Sequence, residues 1–215
     1  MYIMFIYKFK KLPFIFIFNA KCGCSNIKNI INDVDKLYET NEFHDVHKYQ
    51  FTNMDHKQLL ENKTHHVIFF VRNPYHRFIS GYSKITNKLI LKLRFDQSKS
   101  FEECKELIKN CNIDINEWAK IITNIAPKNL EHHFQLQTFG LRKILKNTIM
   151  HYYDLDNLSN LKIFLKNKFN VEIDCNIRDK YSLKKKEPSD ETKELIYQYY
   201  KDDFELLNYS KEYPK

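Results

Sequence analysis

Two unbroken apolar runs stand out along the chain, Phe14–Phe18 and Val67–Val71. Both consist of aromatic and branched aliphatic residues, without the alternation of polar and apolar positions that marks a strand with one face in water. Such runs are typical of strands that are covered on both faces, as in the middle of a parallel sheet. They predict two central parallel strands, the first preceded by Pro13 and the second followed by Arg72.

Each run leads into a segment with helical spacing. Ser25 can cap a helix after the first run, and Asn73-Pro74 can begin another after the second. The apolar positions of these two helices are Ile27, Ile30, Ile31, Val34 and Leu37, then Phe78, Ile79, Tyr82, Ile85 and Leu89. The order strand, tight loop, helix is therefore predicted twice.

The same alternation continues to the end of the chain. Further predicted elements are helices over 101–111, 115–125 and 158–169, an apolar strand over 148–153, and a last helix to about residue 207. Ser189 or Asp190 caps that last helix. Strands separated by helices indicate an α/β fold with a central, mainly parallel sheet flanked by helices. Because no linker, repeat or low-complexity tract interrupts the pattern, we expect a single domain over 1–215.

Composition narrows the classes of function. The chain has 215 residues and a formal charge of +8, so anionic partners are favoured over cationic ones. The interpretation as a nucleic-acid-binding protein would rest on that charge alone, since the sequence has no helix-turn-helix or RNA-binding aromatic motif. The three glycines, Gly23, Gly81 and Gly140, are too few and too far apart for a GxGxxG or GxxxxGK[ST] loop. A P-loop kinase is the nearest alternative enzyme, and the missing GK[ST] speaks against it. Five cysteines, an odd number, indicate reduced thiols rather than a disulfide framework.

The apolar N-terminal segment does not predict a membrane anchor. Lys8, Lys10 and Lys11 divide it into short runs, whereas a bilayer span needs roughly 20 apolar residues. A signal peptide would carry its charge before the apolar run, not after it. We therefore expect no transmembrane segment, no signal peptide and a cytoplasmic or otherwise soluble protein.

The loop after the first predicted strand has the composition of an anion-binding site. A helix N-terminus offers backbone N–H groups and the positive end of the helix dipole. Gly23 permits close backbone approach, Ser25 offers a hydroxyl, and Lys21 and Lys28 add charge. The alternative is an ordinary capped turn with two solvated lysines.

The loop after the second strand offers a second set of phosphate ligands. Arg72 leaves the carboxyl end of the strand, and Ser80 follows about two helical turns later, so the two side chains can hold one phosphate. The alternative makes Arg72 a surface charge and Ser80-Gly81 a small-residue contact between helices. For Arg77 we favour a structural ion pair over ligand contact.

Together the two loops resemble those of the sulfotransferases that use 3′-phosphoadenosine 5′-phosphosulfate (PAPS), and among them the membrane-associated type of carbohydrate sulfotransferase. The family's first loop reads PKxGCSNxK, which AKCGCSNIK matches at Lys21, Gly23, Cys24, Ser25, Asn26 and Lys28. Its second loop reads VRxPxxRxxSxY, which VRNPYHRFISGY matches at Val71, Arg72, Pro74, Arg77, Ser80 and Tyr82. Ala20 stands where the family has the loop proline.

The resemblance extends over residues 13–209. His133-Phe134-Gln135-Leu136-Gln137 is similar to the family's HWxPQ segment, with Leu136 in place of the proline. Residues 200–204 and Asn208-Tyr209 are similar to its terminal Y-x-x-D-F…GY, with Asn208 in place of a glycine.

The resemblance implies a P-loop-like three-layer fold and transfer of a sulfuryl group from PAPS to a hydroxyl of a carbohydrate, by in-line displacement and without a metal. A non-catalytic nucleotide- or glycan-binding module with the same fold is the alternative. The implied ligands of the 5′ group are Lys21, Cys22, Gly23, Cys24, Ser25, Asn26 and Lys28, and those of the 3′-phosphate are Arg72 and Ser80. Lys21 would also act in catalysis, at the bridging oxygen.

The acceptor hydroxyl needs a general base, for which histidine is the usual residue. His47 is the first candidate and His44 the second, because a heparan-type relative carries its base histidine in a similar place, upstream of the second strand. His133 and Glu42 are further candidates, and each histidine could instead be a surface residue without a catalytic role. A zinc site built from Cys22, Cys24 and these histidines fits poorly, since structural zinc uses C-x₂₋₄-C pairs.

Overall fold

The computed structural model describes residues 4–35, 54, 56–61, 64–82, 114–127, 130, 132–138, 150–173 and 187–214. The chain divides into two compact units. The first, here called the sheet unit, comprises residues 3–72 and 140–181, and the second, the helical unit, comprises residues 1–2, 73–139 and 182–215.

In the described part of the sheet unit, four strands form one sheet in the order β1-β2-β3-β4. They are β1 (Met4–Lys8), β2 (Phe14–Asn19), β3 (His66–Val71) and β4 (Met150–Asp154). β1 is antiparallel to β2, whereas β2, β3 and β4 are mutually parallel. Both apolar runs form inner strands of this sheet and are buried almost throughout, so the predicted central parallel strands are confirmed.

Seven helices are described. They are α1 (Cys24–Asp35), α2 (His56–Glu61), α3 (Pro74–Tyr82), α4 (Ile115–Thr123), α5 (Ser159–Phe169), α6 (Asp190–Tyr199) and α7 (Lys201–Leu206). The predicted helix over 101–111 lies outside the described residues. The predicted last helix is two helices that meet at Tyr200. The mixed α/β class with a mostly parallel sheet flanked by helices is confirmed.

The core of the sheet unit holds α1 against β2. Phe14, Phe16 and Phe18 project from one face of β2 and are completely buried. Ile27 and Ile31 of α1 are also fully buried in the same cluster, to which Leu161 and Leu165 of α5 contribute. Burying a large apolar side chain contributes roughly 1.5–3 kcal/mol, so this cluster fixes α1 on the sheet. It thereby sets the N-terminus of α1 at the carboxyl end of β2.

Two histidines on neighbouring strands share a hydrogen bond in the sheet unit. His66 Nδ1 lies 3.1 Å from His151 Nε2, and the ring of Phe164 packs on both residues. The pKa of His66 is lowered by burial and, to a smaller extent, by the charge of Lys168. The pKa of His151 is lowered by burial, then by His66 and by Lys168. Since one ring must donate and the other accept, at least one of the two imidazoles is neutral in this arrangement.

We expect the protein to lose stability as the pH falls below about 6.5, the pKa of an unfolded histidine. Because the folded pKa values are lowered, the unfolded chain binds more protons in this range, so stability is complete above that pH and declines down through the folded values. Urea unfolding from pH 7.5 to 5 measures the slope. His66→Gln, which retains hydrogen bonding but does not titrate, should flatten it, and an unchanged slope would contradict the role of the pair.

The helical unit packs α3, α4 and α6 around aromatic side chains. Trp118, Phe78 and Phe134 are almost fully buried and pack together. Asp114 caps α4 in a capping box with Glu117. The predicted cap of α6 is confirmed at Ser189, whose side chain accepts a hydrogen bond from Thr192 N.

A buried carboxylate joins the two weaker segments of the family resemblance. Asp203 in α7 is fully buried and accepts hydrogen bonds from Gln137 N (2.8 Å), Thr138 N (2.9 Å) and Thr138 Oγ1 (2.8 Å). Burial raises the pKa of Asp203, whereas the nearby Arg77 and these hydrogen bonds lower it. Arg77 is itself only 2% exposed, and its Nη2 reaches the His132 carbonyl oxygen at 3.5 Å. A structural role for Arg77 fits this environment.

Replacing Asp203 by asparagine should lower the free energy of unfolding by about 1–3 kcal/mol, because the three buried hydrogen bonds that the carboxylate accepts lose their charged acceptor. Urea denaturation at neutral pH measures the loss. Asp202→Asn changes the neighbouring, exposed carboxylate and should stay within about 0.5 kcal/mol of the wild type. Similar losses in the two variants would contradict a specific role for Asp203.

Candidate functional site

The segment 19–28, here called the β2–α1 loop, turns sharply between the end of β2 and the start of α1. Lys21 (φ 66°) and Gly23 (φ 73°) both have left-handed backbone conformations. Cys22 N donates to Asn19 O (3.2 Å), and Ile27 N donates to Gly23 O (3.0 Å), the first hydrogen bond of the helix. The helix therefore begins just after Gly23, so the prediction that Ser25 caps it is wrong: Ser25 lies within the first turn.

Glycine is required at position 23 for two reasons. Its positive φ is unfavourable for other residues. In addition, a Cβ at this position would lie 2.1 Å from Leu155 Cδ1. Leu155 is buried and follows β4, so the turn after β4 packs directly against the β2–α1 loop.

The two loop cysteines, Cys22 and Cys24, are reduced thiols with restricted surroundings. Cys22 is completely buried, and Cys24 Sγ donates to Asn19 O at 3.2 Å. Burial raises the pKa of Cys24, with Lys28 and Lys21 acting in the opposite direction. Within the described ranges, no cluster of three or more histidine, cysteine or carboxylate side chains is arranged to hold a metal ion.

Lys28 is buried rather than solvated. It is 6% exposed, and its Nζ lies 5.4 Å from the ring centroid of Phe5, which stacks on Phe18 at 5.0 Å. Burial lowers the pKa of Lys28, whereas Cys24 raises it. The side chain thus places a partly desolvated cation beside the β2–α1 loop, unlike the solvated lysine of the alternative interpretation.

Arg72 follows the last residue of β3, as predicted. Its side chain is 14% exposed, and its Nη2 lies 3.3 Å from Asp156 Oδ1. Asp156 belongs to the turn after β4, in which Leu155 N donates to Val71 O (2.8 Å) and Asp156 N donates to Asp154 Oδ1 (2.8 Å). Arg72 is therefore a largely buried, paired cation rather than a solvated surface charge.

Sequence reasoning missed Asp156. The signal that could have found it is the run of turn-forming residues Asp154, Asp156 and Asn157 directly after the third apolar strand. In a parallel sheet the carboxyl ends of the strands lie at one edge, where ligands bind. The β2–α1 loop, Arg72 and the turn after β4 share that edge of the sheet unit. Together they offer helix amides and cations suited to an anion.

The remaining predicted site residues fall elsewhere. Ser80 lies in α3 of the helical unit, next to Gly81, where a Cβ would lie 2.6 Å from Phe134 Cε1. Gly81 thus makes the close contact of the alternative interpretation, and a phosphate shared by Arg72 and Ser80 stays a prediction.

His133 is half-buried in the helical unit, with its ring 4.0 Å from that of His132. His44, His47 and Glu42 lie outside the described residues.

One further structural finding concerns membranes. Among the helices that the structure describes, none combines the length and the apolar character needed to cross a bilayer.

Comparisons with known proteins identify the family. A family model described as the sulfotransferase family matches residues 5–210, a range that runs from β1 to beyond α7. No curated protein and no solved structure matches the chain. The matched range contains both loops that resemble sulfotransferase motifs as well as the two downstream segments. The chain therefore belongs to the sulfotransferase family, in its family 2.

Proposed function

We propose that the protein transfers a sulfuryl group from PAPS to a hydroxyl group of a carbohydrate by in-line displacement. The observation that carries the proposal is the β2–α1 loop of a sulfotransferase-family chain, in which two left-handed residues, Lys21 and Gly23, lead into a helix N-terminus. The proposal includes a P-loop-like three-layer fold and a single sulfotransferase-like domain over 1–215.

The residues of the β2–α1 loop fit an anionic donor. The first N–H groups of a helix have no acceptor within the helix, and they lie at the positive end of its dipole. Gly23 adopts the left-handed conformation of the turn and leaves room for Leu155, and Lys21 and Lys28 supply positive charge. The proposed ligands of the 5′-phosphosulfate are Lys21, Cys22, Gly23, Cys24, Ser25, Asn26 and Lys28. Those of the 3′-phosphate are Arg72 and Ser80.

The donor supplies a sulfuryl group attached to a phosphate, which is a weakly basic leaving group. Sulfuryl transfer resembles phosphoryl transfer, in which positioning and charge stabilisation provide most of the catalysis. Lys21 neutralises the negative charge that grows on the bridging oxygen, and the amides at the start of α1 hold the 5′ group in place. Lysine can do this without a metal ion.

A general base removes the proton from the acceptor hydroxyl. We propose His47 for this role and His44 as the second candidate, with His133 in the helical unit as a third. An imidazole has a pKa near neutrality and can accept the proton at the working pH. Alanine variants of the three histidines, assayed for transfer and for nucleotide binding, distinguish them because loss of the base lowers turnover and not donor affinity.

Transfer of labelled sulfate from PAPS to a panel of glycans tests the proposed function. We expect labelling of at least one glycan and a rise in melting temperature with 3′-phosphoadenosine 5′-phosphate, the desulfated product. Neither labelling nor a rise would contradict the proposal. A rise in melting temperature without transfer to any hydroxyl acceptor would indicate the non-catalytic nucleotide-binding module.

A further inference from the structure

The structure assigns Asp156 as a positioning residue that orients Arg72 toward the 3′-phosphate of the donor. This inference rests on the proposed function, since it concerns the same nucleotide site. Its basis is the ion pair between Arg72 Nη2 and Asp156 Oδ1, at 3.3 Å, together with the backbone geometry that fixes both residues.

The position of Asp156 is set by the sheet. Val71 and Asp154 are partners in the parallel register of β3 and β4. One residue further, Leu155 N donates to Val71 O at 2.8 Å, which continues the ladder beyond the end of β4. Arg72 and Asp156 therefore leave adjacent strands at the same edge, with Asp156 one residue beyond the position opposite Arg72.

The turn itself is rigidly closed. Asp156 N donates to Asp154 Oδ1 at 2.8 Å, and Asn157 N donates to Asp154 O at 3.1 Å. These two hydrogen bonds define a tight turn around Asp156 and limit the directions its carboxylate can take. An acidic side chain on a closed turn is suited to hold a long, flexible partner in one orientation.

Arg72 needs such a partner. Its side chain is only 14% exposed, so its guanidinium is largely withdrawn from water, whereas the Asp156 side chain is 36% exposed. Arginine loses considerable rotamer freedom when it is held in place, and a fixed guanidinium binds phosphate better than a mobile one. A guanidinium also has five N–H donors, so a carboxylate at Nη2 and a phosphate can be bound together.

The same turn also supports the other half of the proposed donor site. Leu155 packs against Gly23 of the β2–α1 loop, and Asp156 pairs with Arg72. Adjacent residues of one turn therefore serve the two segments proposed to hold the 5′ and 3′ groups. A change confined to the Asp156 carboxylate should alter recognition of the 3′-phosphate and leave the 5′ group unaffected.

Two nucleotides separate these effects: 3′-phosphoadenosine 5′-phosphate, and adenosine 5′-phosphate, which lacks the 3′-phosphate. We expect Asp156→Asn to weaken binding of the bisphosphate about fivefold and to leave adenosine 5′-phosphate unchanged, with KM for PAPS raised and kcat retained. Asp156→Glu should restore most of the affinity. Glu172→Gln, which removes an exposed carboxylate paired with Lys166 in the same unit, is the matched control and should bind like the wild type.

Unchanged or tighter binding of the bisphosphate by Asp156→Asn would overturn the inference, as would equal weakening for the two nucleotides. These outcomes are distinct from failure of the proposed function. If the wild-type protein binds neither nucleotide, the proposed function and the inference both fail. If the wild type prefers the bisphosphate and Arg72→Gln loses this preference while Asp156→Asn keeps it, only the role of Asp156 is wrong.

Discussion

Replacement of Lys21 by methionine is expected to lower kcat for sulfuryl transfer by about 10²–10³-fold. Methionine is about as long as lysine and apolar, so the change removes the charge and little else. The proposed role of Lys21 is to neutralise negative charge that appears on the bridging oxygen only as the sulfuryl group leaves. The affinity for 3′-phosphoadenosine 5′-phosphate should fall by no more than about tenfold, because loop amides and other cations also bind the charged phosphates of the nucleotide.

Two variants control this experiment. Lys162→Met changes an exposed lysine of α5 in the same unit and should transfer sulfate at the wild-type rate. Lys21→Gly removes the charge and also relaxes the left-handed backbone at this position (φ 66°), so it should lose turnover while gaining up to about 1 kcal/mol of stability. Wild-type turnover in Lys21→Met, or an equal loss of turnover and product affinity, would contradict the catalytic role.

Gly23→Ala should destabilise the protein by about 1–3 kcal/mol and strongly weaken nucleotide binding. The new methyl group requires an L residue at φ 73° and lies 2.1 Å from Leu155 Cδ1. The Leu155 side chain is buried in the core and has little room to turn away, and its backbone is held by the hydrogen bond from its N–H to Val71 O. The β2–α1 loop must therefore shift away from the turn after β4. Thermal unfolding and titration with 3′-phosphoadenosine 5′-phosphate measure the two effects.

A double variant separates steric conflict from backbone strain. Leu155→Ala alone removes a buried side chain and should cost about 2–5 kcal/mol. In Gly23→Ala/Leu155→Ala the steric conflict disappears, whereas the backbone strain at φ 73° remains. The double variant should therefore lose less unfolding free energy than the two single variants together, by about 0.5–3 kcal/mol. Strict additivity would show that the two residues are not in the contact described.

The parts of the fold that follow from local sequence were predictable. The runs that became β2 and β3 are unbroken and apolar because both faces of these strands are buried. The break between α6 and α7 was not predictable, since buried positions at Ile196 and Phe204 continue the helical spacing across it. Tyr200, at the break, donates its hydroxyl to Phe134 O at 2.7 Å, a contact distant in sequence.

In the candidate site, too, local sequence predicts one part, whereas another part depends on contacts between distant residues. The β2–α1 loop could be predicted because its glycine, lysines and helix start are contiguous in the sequence. The contact of Leu155 with Gly23 and the pair between Arg72 and Asp156 depend on the register of β3 with β4, residues some 80 positions apart. No local pattern contains this register, so the third segment at the sheet edge was missed.

A crystal structure with 3′-phosphoadenosine 5′-phosphate bound would locate the donor site. We expect the 5′-phosphate at the start of α1, within hydrogen-bonding distance of backbone N–H groups of residues 23–26 and of Lys21 Nζ. A nucleotide whose 5′-phosphate lies away from the β2–α1 loop, with Lys21 turned from it, would contradict the proposed donor site.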